Sequence, residues 1–265
     1  MIAPESIVLK LDPHRVDLWF AFYDEIDEGH LLDRYRLLLS NEERDREQRI
    51  HLAKNRHRFL VTRALVRTVL SRYAPVAPEH WTFLSNSYGK PSISNDGSVA
   101  SRISFNVSHT DGLIVLGVTR ESALGVDIEN VHSRKATLDS TEAYLSDEES
   151  RALAELSPDQ RSERFFQYWT LKESYIKARG TGLSIPLGAC SFRFTAQNRV
   201  TLTTEPSLQD TPSRWQFWQL RPSPDHLTAV CAERYGNGYK QLTSTRIIPL
   251  GAESPLDCMP VLASE

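Results

Sequence analysis

Cysteine is scarce in this chain: three among 265 residues, at positions 190, 231 and 258, with no Cys-x-x-Cys pair and no histidine at metal-ligand spacing beside them. That odd number argues against both a disulfide framework and a structural zinc site. Long apolar runs are missing too. No uninterrupted apolar stretch reaches the ~18 residues of a membrane span, and the N-terminal MIAPESIVLKLDPHR has no basic segment leading into an apolar one. The expectation is a cytoplasmic protein with no membrane association. Net charge of one sign is also lacking, with 31 Lys and Arg against 34 Asp and Glu, net −3. What the chain does have is 40% hydrophobic residues, enough to bury the core of one large domain or two smaller ones.

The small net charge hides an uneven distribution. Between Arg44 and Arg72 nine basic residues stand against Asp45 and Glu47, so this stretch carries +7 and the remainder −10. Two readings stay open: a solvated helix face, or a site for phosphates on a nucleic acid or a phosphate-rich cofactor.

Periodicity assigns the elements. Alternation predicts strands at 6–12 and 16–24. Leu31, Leu32, Tyr35, Leu38 and Leu39 form a helical stripe, and Ser40 with Glu43 is a capping box opening a second helical stretch that includes 59–70 and stops before Pro75. Residues 85–97 are dense in turn formers and read as a loop. Strands at 103–108, 113–119 and 124–129, joined by short turns, read as an antiparallel meander. Ser146 and Glu149 form another capping box, Ser157-Pro158 opens a long helix ended by Gly180, and strands return at 190–196, 199–205, 214–221 and 227–234. Helix precedes sheet in both halves, so we expect subdomains at 1–122 and 123–235, with 236–265 a tail that is a peripheral strand or partly disordered.

Two stretches carry the chemistry. In GVDIE (125–129), Asp127 and Glu129 share one face of a strand at roughly 6–7 Å, where like charges raise a pKa unless a cation lies between them. In the helix ERFFQYWTLKESYIKARGTG, Glu173 and Lys177 stand four apart; a surface salt bridge is one reading. Trp169, one turn before Glu173, suggests instead a partly buried face, which makes Lys172 and Glu173 site candidates. Asp127, Glu129 and Glu173 are hard oxygen donors suited to Mg²⁺ beside a substrate phosphate. Lys177 could neutralise charge on a phosphate oxygen or protonate a leaving group. Ser108 and His109 end an apolar strand where a hydroxyl, an imidazole and backbone N–H groups could meet an anion, or simply make a turn. Lys90 sits in the Gly/Pro turn YGKP.

Together YGKP, FNVSHT, GVDIE and FFQYWTLKESYIKARGTGLS resemble the ordered signature of the Sfp-type 4′-phosphopantetheinyl transferases, across roughly residues 40–190. The resemblance implies an α+β fold of two similar α/β subdomains related by pseudo-twofold symmetry, acting as a monomer. It implies that coenzyme A is cut at its pyrophosphate and that its phosphopantetheine arm passes to a serine of an apo acyl or peptidyl carrier protein, releasing adenosine 3′,5′-bisphosphate. Asp127, Glu129 and Glu173 would gather Mg²⁺, Glu173 would serve as general base, and Lys177 would touch the pyrophosphate. Ser108, His109 and Lys90 would contact coenzyme A, and Arg46 and Arg58 would hold its 3′-phosphate. Glu43 stands where relatives often carry Lys, and Glu149 matches a further acid near the metal or serves only its capping box. The rival readings are a Mg²⁺-dependent nuclease or nucleotidyl transferase, and a non-catalytic nucleotide- or nucleic-acid-binding module. Neither explains the aromatic-flanked WTLKES helix at its distance from GVDIE.

Overall fold

The first regular element of the protein, strand β1 (Arg15–Ala21), is apolar on both faces because both faces are covered. Val16, Leu18 and Phe20 point into one core, Trp19 and Ala21 into another. The computed structural model describes residues 9–97, 99–132, 144–195, 197–236 and 238–264. Of the strand expected at 6–12, residues 6–8 lie outside these, and Leu9–Asp12 is irregular: Asp12 accepts from the His14 amide (2.8 Å) and turns the chain before β1.

Helices α1 (Gly29–Leu38), α2 (Asn41–Arg49) and α3 (Ala53–Leu70) follow. The capping box at Ser40 and Glu43 forms, but the stretch after it is two helices rather than one. α2 buries only Glu47, so nothing apolar holds it to the core; the chain bends through extended Ile50 and Leu52 and lays the apolar face of α3 there instead. The residues read as a loop, 85–97, supply the turn and second strand of a small hairpin, β2 (Phe83–Ser85) with β3 (Pro91–Ile93). Strands β4 (Ile103–His109), β5 (Ile114–Arg120) and β6 (Leu124–Asn130) come next, then helices α4 (Asp147–Ala154) and α5 (Pro158–Arg179). The chain ends in β7 (Cys190–Phe194), β8 (Arg199–Thr204), β9 (Trp215–Ser223), β10 (His226–Glu233), β11 (Gln241–Ile247), β12 (Glu253–Pro255) and β13 (Pro260–Ser264).

Two sheets result, with strand orders β12-β11-β1-β5-β4 and β6-β10-β9-β13-β8-β7. The expected meander is therefore broken after β5. Both edges of β5 are already paired, with β1 and β4, so β6 leaves and pairs antiparallel with β10. The tail is not peripheral either: β11 runs parallel to β1, and β13 lies between β9 and β8.

Three apolar clusters define the layers. Residues of α1 and α3 pack on the outer face of the first sheet, Phe166, Leu171 and Tyr175 of α5 on the outer face of the second, and Leu18, Val115, Val126 and Val230 fill the space between the sheets. The protein is α+β, each sheet carrying one long helix on its outer face. Among the described residues no helix is long and apolar enough to cross a membrane, and Cys190, Cys231 and Cys258 are unbridged.

Candidate active site

The edge strand of each sheet, β4 in one and β6 in the other, meets its counterpart along a seam. Polar side chains at alternate positions of β4 and the residue after it stitch it: Asn106 accepts from the Val126 amide (2.8 Å), Ser108 Oγ donates to Asp127 Oδ1 (3.1 Å), and Thr110 Oγ accepts from the Asn130 amide (3.1 Å). This row went unread in the sequence except for Ser108, although Asn106, Ser108 and Thr110 have the period of two that places them on one face.

Helix α5 closes the site from the other side, and Gly125 sets how closely. A Cβ there would lie 1.9 Å from the Ser174 carbonyl oxygen and 2.4 Å from the Ala178 amide nitrogen. The helix backbone thus rests directly on β6, which brings Glu173 and Lys177 to the face that carries Asp127. α5 begins at Pro158 and ends at Arg179, capped by Gly180, whose φ of 69° is the left-handed conformation suited to a glycine after the last turn.

At the centre, Lys177 Nζ lies 2.6 Å from Asp127 Oδ1 and 2.8 Å from Ser108 Oγ. Asp127 is buried, and its second oxygen, Oδ2, has no hydrogen-bond partner. Glu129 accepts from the Trp169 indole (3.0 Å) and from Thr110 Oγ (3.4 Å). Glu173 is half-buried. Its desolvation, with the negative charge of Asp127 and Glu129 outweighing Lys177, pushes the carboxyl up to about 7. Part of His109 reaches solvent, yet desolvation together with the positive Arg58 and Lys177 holds its imidazole down to about 4, so it is neutral near pH 7. Tyr88, Asn106, Val107, Glu173, Ile176 and Lys177 line an adjoining cleft of about 270 Å³.

Not every candidate joins this group. Arg58 faces His109 and lies 4.0 Å from Asp111, whereas Arg46 lays its guanidinium over the Phe59 ring (5.5 Å), outside the contacts just described. Lys90 directs its ammonium to three main-chain carbonyls. Glu43 is neutralised by Arg63 and by Arg67 (2.7 Å) while keeping its capping role. Glu149 and Lys172 form a fully buried pair (2.7 Å); Glu149 also accepts from the Phe192 amide, and Lys172 donates to the Leu187 and Cys190 carbonyls. Those two therefore brace α4 and α5 against β7 and take no part at the seam. Among the described residues no three His, Cys, Asp or Glu side chains are gathered closely enough to cage a metal.

Two family models match the chain. Residues 123–231 match the 4′-phosphopantetheinyl transferase superfamily, and residues 30–121 match the N-terminal model of 4′-phosphopantetheinyl transferase. The 4′-phosphopantetheinyl transferase HetI of Nostoc sp. is 30% identical over 234 residues, 88% of this chain and 93% of that protein. The chain belongs to the 4′-phosphopantetheinyl transferase family. The Sfp enzyme of Bacillus subtilis is also 30% identical, over 76% of this chain and 84% of its own. The Chronobacterium ammoniagenes ACPS-CoA complex overlaps 43% of this chain and 97% of that one, at 21% identity and a TM-score of 0.32. The motifs around Ser108, Asp127, Glu173 and Lys177 fall within the two matched family segments.

The raised Glu173 carboxyl has a consequence for stability. Unfolded, it titrates near its ordinary 4.5; folded, near 7. The folded protein therefore holds the extra proton in that window, and stability falls as pH rises through it. Glu173→Gln removes the buried charge. Urea unfolding of metal-free protein should show the variant about 2 kcal/mol more stable than wild type at pH 8, with no gain at pH 4, where both states keep the proton.

Proposed function

We propose that the protein transfers the phosphopantetheine arm of coenzyme A to a serine hydroxyl of an apo acyl or peptidyl carrier protein, with Mg²⁺, acting as a cytoplasmic monomer. The observation that carries the reading is the meeting of Asp127 from β6 with Lys177 from α5, 2.6 Å apart, over a buried carboxylate oxygen that no protein donor satisfies. That oxygen fits a hard dication. Mg²⁺ is commonly bound by one or two carboxylates, waters and substrate phosphates rather than by a full protein cage. Asp127, Glu129 and Glu173 are its candidate holders, and when bound it would spread the charge of the pyrophosphate.

The chain's own side chains divide the remaining work. Glu173 takes the proton of the attacking serine as general base. The serine oxygen forms a bond to the phosphorus bearing the pantetheine arm as the bond from that phosphorus to the bridging oxygen breaks. Adenosine 3′,5′-bisphosphate leaves with the bridging oxygen and the electron pair. Lys177, able to turn from Asp127 to a phosphate oxygen, offsets the charge left on it. Ser108 and the neutral His109 supply hydrogen bonds to phosphate, and Arg58, with Arg46 on α2, meets the 3′-phosphate.

Mass spectrometry of an apo carrier incubated with the protein, coenzyme A and Mg²⁺ is expected to show the carrier heavier by one phosphopantetheine. A panel of fatty-acid, polyketide and nonribosomal-peptide carriers left unmodified would remove the reading.

A further inference from the structure

We infer that Lys90 is a positioning residue, whose ammonium pins the last turn of α5 to the first residue of β6 and so fixes where Lys177 and Asp127 meet. The inference rests on the transferase reading for its assay. Lys90 Nζ donates to the main-chain carbonyls of Lys177 (2.6 Å), Leu124 (3.0 Å) and Ala178 (3.2 Å). An ammonium has three protons, so all are used on main-chain oxygens. Among the described residues no carboxylate pairs with it. Carbonyls at a helix C-terminus lack intrahelical partners and carry the negative end of the helix dipole, so a half-buried cation there has both a hydrogen-bonding and an electrostatic role.

The turn that presents Lys90 is itself locked to the same helix end. Asn86 Oδ1 accepts from the amides of Tyr88 (3.0 Å) and Lys90 (2.9 Å), while Asn86 Nδ2 donates to the Gly180 carbonyl (2.8 Å). Gly89, at φ +84°, allows the reversal. A Cβ on Gly180 would lie 3.2 Å from Lys90 Cδ, and one on Gly182 would lie 3.4 Å from Tyr88 Cβ. Turn and helix exit are thus in close contact. Because one accepting carbonyl belongs to Lys177 itself and another to the strand of Asp127, releasing the clamp frees both backbones whose side chains meet at the seam.

The test is steady-state transfer by the full chain with coenzyme A, Mg²⁺ and an apo carrier, alongside calorimetric binding of adenosine 3′,5′-bisphosphate. Lys90→Met should lower kcat roughly 10- to 100-fold, as a small misplacement does. KM for coenzyme A and Kd for the bisphosphate should stay within about twofold. Lys90→Gln, which keeps two donors, should recover part of kcat. In a Lys177→Ala background Lys90→Met should cost clearly less than in the wild type, since one of the two side chains it positions is gone; a general weakening of the fold would cost the same in both backgrounds. Should Lys90→Met not fold, Asn86→Ala, which frees the Gly180 carbonyl and the Tyr88 and Lys90 amides of the turn but leaves the ammonium in place, should give the same split between kcat and KM. Bisphosphate binding weakened about tenfold with kcat unchanged, or additive losses in the double variant, would overturn the inference. Absence of transfer by the wild type would instead overturn the transferase reading.

Discussion

Asp127→Asn is expected to lower transfer turnover roughly 10³-fold or more while the protein stays folded. The carboxamide can still accept from Lys177 and Ser108 through its oxygen, which keeps the contacts that Oδ1 makes at 2.6 and 3.1 Å. Its NH₂ group then occupies the position of Oδ2, the buried oxygen with no protein donor, and turns two partly positive hydrogens toward the place proposed for the cation. Flipped, it would set those hydrogens against the Lys177 ammonium. Either way one face of the group has the wrong polarity. The fold tolerates the change because Lys177, 26% exposed, can take water in place of the lost charge. Turnover measured with saturating coenzyme A and Mg²⁺, beside a thermal unfolding curve, checks both halves. Retention of more than about a tenth of wild-type turnover would take Asp127 out of the metal assignment.

Gly125→Val should do the opposite: disable the protein by deforming it rather than by removing chemistry. A Cβ at 1.9 Å from a helix carbonyl oxygen and 2.4 Å from a helix amide cannot be accommodated by a side-chain rotation, since both obstacles are backbone. α5 must lift away from β6, which parts Lys177 from Asp127 and opens the apolar packing around Leu171 and Tyr175. The expected loss is about 3 kcal/mol or more in urea unfolding, or failure to fold, with transfer abolished. Gly117→Ala is the control. There the nearest obstacles are the side chains of Val126 (2.8 Å) and Leu124 (3.2 Å), which can shift, so a loss of about 1 kcal/mol is expected. Equal effects at the two glycines would show that contact with helix backbone is not what makes Gly125 indispensable.

The two capping boxes illustrate how far local pattern carries. Ser40 with Glu43 and Ser146 with Glu149 both form as their spacing requires. Yet spacing did not say that Glu43 would also be held by Arg63 and Arg67, or that Glu149 would be buried against Lys172. Those arginines lie on α3, and Lys172 lies on α5, each brought to its acid by tertiary packing. The same limit governs Lys90, a turn residue by sequence and a half-buried helix clamp in the fold.

From sequence alone the alternation in GVDIE determined that Asp127 and Glu129 share a face, and the four-residue spacing on α5 that Glu173 and Lys177 do, because side-chain direction follows from backbone periodicity within a few residues. Only the tertiary structure decided that β6 abandons the strand before it, that the C-terminal residues become strands in both sheets, and that Lys177 reaches Asp127. Strand pairing depends on which edges distant segments have already taken, and the approach of helix to strand on the missing Cβ of Gly125; no local period encodes either.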